Sequence, residues 1–187
     1  MSRSWVLLSY RVPRQPSRLR LAVWRRLQRL GALAAHDSVW ILPADAKTRE
    51  DFEWIAEEAE ECGGSALLWE AASFSEGQDA ELIAQFRLAA GQRYEEIAAT
   101  ARALGRLAGG RRLTQSQRLH ASRQVRALER AVRLERRRDY FRAPGRELAE
   151  RALGEARQRL APDTPARAII PPQERPHAVG DPTALSR

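Results

Sequence analysis

WVLLSYRVPRQPSRLRLAVWRRLQRLGALAAHDSVWILP, residues 5–43, carries the order of patterns that decides the fold. It opens on an apolar run rich in β-formers, residues 5–12, stopped by Pro13. Pro16 and Ser17 suit a helix start and Gly31 its end. Between them Leu19, Val23, Leu27 and Leu30 recur at helical spacing, which predicts a core face. Arg18, Arg25 and Arg29 lie off that face, and Arg20 and Arg26 lie near its borders. Residues 32–43 read as two short strands or one bent strand, with Asp37 and Ser38 as the break.

Downstream, Thr48 is a candidate N-cap with Asp51 three residues on, and the helix it opens runs to Cys62. Phe52, Ile55 and Ala59 are its inward residues; Glu57, Glu58, Glu60 and Glu61 mostly face water. Gly63 and Gly64 stop it, and residues 65–71 (SALLWEA) form a fourth strand. The order β-α-β-β-α-β predicts an α+β fold of the ferredoxin-like, split-βαβ kind, an antiparallel sheet with two helices on one face. All five tryptophans fall in this part, which places the aromatic core here.

Beyond residue 76 the chain turns helical. A long helix is expected over 78–107 with a break near Gly91, a hinge at Gly109 and Gly110, and a helix from the capping-box pair Thr114 and Gln117 to residue 138. A last helix covers 147–160. The resulting division is a ferredoxin-like domain, 1–75, an α-helical extension, 76–160, and a proline-rich disordered tail, 161–187.

The net charge is +8, and Lys47 is the only lysine among 32 basic residues. An arginine-for-lysine bias does not decide where charges sit, so their distribution is the better guide. Residues 1–31 carry eight arginines and no acid; residues 37–70 carry ten acids against Lys47 and Arg49. Residues 101–138 carry twelve arginines against Glu129 and Glu135. Such polarity points to an anionic partner or to solvated faces. No apolar run reaches membrane-spanning length, and no signal peptide is visible, so a cytoplasmic location without membrane contact is expected. One cysteine, Cys62, excludes an internal disulfide and a multi-cysteine metal site.

Two constellations could carry function. Over residues 114–138, Ala121, Val125, Leu128 and Val132 share one helix face. Arg123, Arg126, Arg130, Arg133 and Arg137 recur at spacings of three and four on the opposite side. A stripe of guanidinium groups can contact successive phosphates; the plainer alternative is a solvated face. Around the first strand-to-helix turn, Arg11, Arg14, Arg18 and Arg20 cluster where a helix N-terminus also favours anions. A DNA phosphate, an oxyanion or solvent alone would satisfy them. His36, His120 and His177 show no metal-ligand or nucleophile–base spacing, and Cys62 ends an acidic helix that disfavours thiolate. With no nucleotide-binding or paired-carboxylate motif, no enzyme and no bound cofactor are expected.

The strand-YRVPR-PS turn, the SVW strand, the LLWEA strand and RRRDYF at 136–141 together resemble the amino-terminal domain of the chromate-resistance regulator family ChrB, over roughly residues 4–160. The resemblance implies a transcriptional regulator that binds promoter DNA, with chromate as effector. It also implies a further carboxy-terminal domain in full-length members. Where effector sensing belongs to that domain, this chain needs a separate sensing domain as partner. More distantly, the first domain resembles CRISPR-associated ferredoxin-like nucleases and the related domain of phenylacetate-catabolism repressors, which implies a dimeric scaffold. Those nucleases hold metal with an acid at the end of strand one. Here Arg11 follows Tyr10, and a buried positive group there would repel a divalent cation.

The expectation is a homodimeric, DNA-binding regulator of chromate resistance. Its phosphate contacts are Arg14, Arg18, Arg25 and the stripe Arg123, Arg126, Arg130, Arg133 and Arg137. The rival readings are a ferredoxin-like interaction module whose basic helix packs on the acidic helix, and a direct chromate-binding protein using Arg11, Arg14 and Arg18.

Overall fold

The computed structural model describes residues 3–13, 17–36, 38–110 and 113–161. Arg14, Pro16, the break at Asp37 and all but the first residue of the expected tail lie outside the described residues.

The elements are β1 (Ser4–Arg11), α1 (Ser17–Leu30), β2 (Leu33–His36), β3 (Val39–Pro43), α2 (Ala46–Glu61), β4 (Ser65–Ala72), α3 (Glu76–Gly110), α4 (Gln115–Arg138) and α5 (Arg146–Leu160). The fold is α+β, with four strands and five helices among the described residues. The sheet order is β2-β3-β1-β4, and every neighbouring pair is antiparallel.

Strand alternation divides the sheet into two faces. Val6 and Leu8 of β1 stand beside Leu42 and Trp40 of β3 and beside Glu70 and Leu68 of β4. That face carries α1 and α2: Val23, Leu27, Phe52 and Ile55 are buried against it. Arg49 of α2 reaches Glu70 of β4 in a two-pronged ion pair at 2.8 Å, which fixes β4's even-numbered side chains on the helix side. Leu7, Ile41 and Trp69 therefore share the other face.

Helix α2 begins earlier than the Thr48 cap predicts. Asp45 is the N-cap and Thr48 the third helical residue; their side chains cap each other's backbone N–H groups. Thr48 also donates to Pro43 O at 2.6 Å and is buried. A threonine three residues into a helix mimics the glutamate of the usual capping box, and this misleads a pattern reading.

Helix α3 has no break at Gly91. It runs unbroken for 35 residues, about 52 Å at 1.5 Å per residue. Gly91 is buried, and its continuation through the helix forfeits only about 1 kcal/mol relative to alanine. The expected hinge at Gly109 and Gly110 is instead the last turn of this helix. The C-terminal part of α3 packs with α4 and α5 through a second, alanine-rich cluster that includes Tyr94, Ala101, Val125 and Ala152.

The aromatic expectation needs correction. Only Trp5 and Trp40 are buried; Trp24, Trp54 and Trp69 are 46%, 60% and 48% exposed. The aromatic cluster belongs to the sheet-side apolar cluster, where α3 and the segment after α4 close on β1. Trp5 stacks on Phe86 of α3 at 5.9 Å, and both rings contact Phe141. Buried Asp79 secures this corner by accepting from Trp5 Nε1, Arg3 N–H and the Ser73 hydroxyl.

Candidate nucleic-acid interface

Helix α4 is built as its sequence periodicity predicts. Thr114 and Gln117 form a reciprocal capping box at 3.2 and 3.0 Å. Ala121, Val125 and Val132 are buried, and Leu128 packs against the same cluster. Arg123, Arg126, Arg130, Arg133 and Arg137 are all exposed. From the first to the last of them the helix rises roughly 21 Å.

What separates these five from the rest is pairing. Arg118 donates to the Leu160 and Ala161 carbonyls, Arg136 lies 3.8 Å from Glu150, and Arg138 is bound to Glu135. Among the described residues, none of the five stripe arginines makes a hydrogen bond or ion pair. Every arginine of α4 off the stripe is engaged within the chain, and every one on it is free.

The C-terminal end of α4 is fastened to the C-terminal end of α1. Arg138 donates from Nη1 to Gln28 O at 2.6 Å and from Nε to Glu135 Oε2 at 2.7 Å. The Tyr140 hydroxyl donates to Leu30 O at 2.9 Å. These two donors cap the C-terminal turn of α1 at Leu30 O and at Gln28 O, which also accepts from the Gly31 N–H at 3.2 Å. Gly31, at φ +71°, makes room: a Cβ there would meet Arg138 Cβ at 3.0 Å. Burial pushes the Glu135 carboxyl above the usual carboxylate range, partly offset by Arg138. Burial likewise raises the Tyr140 hydroxyl, keeping it a neutral donor.

A second arginine set lies on α1, the helix whose C-terminal end this junction joins to α4. On α1, Arg18, Arg20, Arg25 and Arg29 are exposed. Arg26 instead lies 2.6 Å from Glu58 of α2, an ion pair without hydrogen-bond alignment. The acidic helix thus takes its cation from α1. Arg18 and Arg25 are unpaired among the described residues; Arg14 lies outside them.

Arg11 is exposed at the end of β1, and not the buried group expected there. It borders an open concavity of about 420 Å³ with Val12, Pro13, Gly63, Gly64 and Ser65. The Gly63 and Gly64 N–H groups already donate to Glu60 O and Ala59 O, so they offer nothing to an anion. Arg11 and Arg18 are the described members of the oxyanion set, and both are exposed.

Among the described residues no group of three or more His, Cys, Asp or Glu is placed to hold a metal, and no helix is long and apolar enough to cross a membrane. His36 and His120 are exposed, and Cys62 caps α2 half-buried. Sequence reading missed Arg138 and Tyr140, which position the stripe. Their signal is RRRDYF at a helix end, where bare arginines look interchangeable.

No curated protein and no solved structure matches the chain. The family model described as "Protein ChrB, N-terminal" matches residues 20–165, spanning α1 through α5 and so both basic helices and the junction between them. The chain belongs to the family of ChrB amino-terminal domains.

Proposed function

We propose that the chain is a non-catalytic, homodimeric DNA-binding regulator of chromate resistance, built on a ferredoxin-like unit with a helical extension. Family membership supplies the link to chromate-resistance regulation. The strand order β2-β3-β1-β4, with both early helices on one face, supports the split-βαβ reading. One observation carries DNA binding: five exposed arginines along one side of α4 have no partner within the chain, while the other three arginines of that helix do. Guanidinium groups in a row along one helix suit the phosphates of a nucleic acid backbone, which positions the protein without reading sequence. Chromate enters as effector, sensed by this chain or by a separate sensing domain.

The test is binding to a duplex from upstream of the protein's own gene and to a scrambled duplex of equal length. A regulator binds its own fragment more tightly, and the preference survives at moderate salt. Absence of binding at low salt contradicts the reading; equal affinity for both fragments reduces it to sequence-independent attraction.

A second reading, direct oxyanion binding, has one favouring observation: Arg11 is exposed and unpaired beside an open concavity. Equilibrium dialysis with chromate tests it, with Arg11→Ala and Arg18→Ala as variants. Uptake that both variants abolish supports it, and unchanged uptake contradicts it.

A further inference from the structure

Where the C-terminal ends of α1 and α4 meet the middle of α3, the surface opens into a cleft of about 240 Å³. Phe86 and Leu33 give it an apolar lining. Arg93 and Glu96 of α3, with Glu135 and Arg138 of α4, add two cations and two anions. Glu135 is only 3% exposed, yet it borders the cleft. Arg138 engages it through Nε and Nη2, both on Oε2, and gives Nη1 to Gln28 O. Oε1 accepts no hydrogen bond from the described residues. Arg93 gives Nη1 to Glu96 Oε2 at 3.1 Å; its Nε and Nη2 groups have no partner among the described residues. Burial raises the Glu135 carboxyl, and Arg138 and then Arg93 draw it back, so the Arg93 charge is felt at Glu135. The cleft thus offers one deep acceptor and one set of donors, within a lining whose charges cancel.

We infer that this cleft binds a small zwitterion, an aliphatic α-amino acid, with its ammonium on Glu135, its carboxylate on Arg93 and its side chain on Phe86 and Leu33. Charge balance selects this class. A lone cation or a lone anion would leave the lining with a net charge in partly desolvated surroundings, which is costly. A ligand that carries both signs keeps the balance and gives Glu135 Oε1 and the remaining Arg93 N–H groups a partner each. An α-amino acid holds the two charges side by side and adds an apolar group, matching a site that is mostly apolar with a few convergent polar groups. Size agrees. A volume of 240 Å³ corresponds to about eight waters at about 30 Å³ each, close to the number of non-hydrogen atoms in valine. Gln28 and Arg138 also form the joint between α1 and α4, so the occupant sits where the two basic helices are fastened. The site stands on its own lining and does not depend on the DNA reading.

Isothermal titration calorimetry on the full chain tests it with three probes: L-valine, isobutylamine, which is valine without its carboxylate, and isovalerate, which is valine without its ammonium. Valine binds, and each single-charge analogue binds at least about tenfold more weakly, the loss of one hydrogen-bonded charge. Glu135→Gln and Arg93→Met each lower the affinity for valine by about tenfold or more. Arg93 is exposed, and its partner among the described residues is Glu96 on the same helix, so Arg93→Met keeps the test decisive where Glu135→Gln does not fold. No valine binding up to about 10 mM overturns the site. An analogue that binds as tightly as valine overturns the zwitterion. Wild-type affinity for valine in Arg93→Met, or in a Glu135→Gln variant with native circular dichroism, overturns the placement of the ligand in this cleft.

Discussion

Arg138 joins three elements through one side chain. It neutralises buried Glu135 on its own helix and caps α1 at Gln28 O, and its stem packs on Gly31. Removing it leaves a buried carboxylate without its cation, a change that costs about 3 kcal/mol or more. Arg138→Ala is therefore expected to lower the urea midpoint sharply, while Tyr140→Phe, which deletes one hydrogen bond to Leu30 O, costs about 1 kcal/mol. Asp79 makes a prediction about pH. Hydrogen bonds from the Ser73 hydroxyl, Arg3 N–H and Trp5 Nε1 hold its carboxyl below the usual carboxylate range. A carboxylate whose folded value is depressed stabilises the fold above its unfolded value, near 4, and that stabilisation is lost as pH falls through the folded value. Urea unfolding at pH 7 is expected to show Asp79→Asn less stable than wild type. The gap between the two closes as the pH is taken below about 4; a gap independent of pH would show that the ionised form is not what the corner uses.

At the scale of elements, the turn from α2 into β4 depends on Gly64. A Cβ there would lie 2.2 Å from Arg11 O and 2.7 Å from Ala59 O, both backbone atoms that cannot step aside. Gly64→Ala is expected to destabilise by about 2 kcal/mol or more, seen as a fall in the thermal midpoint, whereas Gly109→Ala, with open space around it, does not. Strands and helices of the first part were legible because their apolar spacing and stop residues agree with one another. Val23, Leu27, Phe52, Ile55 and Ala59 are buried where periodicity places them. The start of α2 was not legible, since Asp45 and Thr48 both suit an N-cap and only backbone geometry separates them. Gly91 misled because a helix tolerates glycine where another segment packs closely on it, here the turn at Pro144 and Gly145 that precedes α5. Trp69 and Trp54 misled because tryptophan hydrophobicity says nothing about which side of a strand or helix lacks a covering layer. For the candidate site, the spacing of the stripe was visible in the sequence. That its members are unpaired was not, because Arg118, Arg136 and Arg138 differ from them only in what the fold sets nearby.

The whole molecule is a charge-sorted object. The acids of α2 lie beside α1, one of them paired with Arg26, and the ends of α1 and α4 are pinned together at Gln28 and Leu30. The helices that carry the unpaired arginines of α4 and α1 are thus joined at their C-terminal ends, which fixes the helix backbones and leaves the exposed guanidinium groups free. On the proposed reading, binding to a nucleic acid releases condensed counterions, so affinity falls linearly on a log–log plot against salt with a slope set by the number of phosphates contacted. The most direct measurement is that slope for the wild type and for the triple variant Arg126→Ala, Arg130→Ala, Arg133→Ala, on the duplex from upstream of the protein's own gene. Each lost phosphate contact reduces the slope by about 1, so the variant's slope is expected to be shallower by about 3, with unchanged circular dichroism. A variant that binds with the wild-type slope would contradict the assignment of α4 as the phosphate-contacting helix.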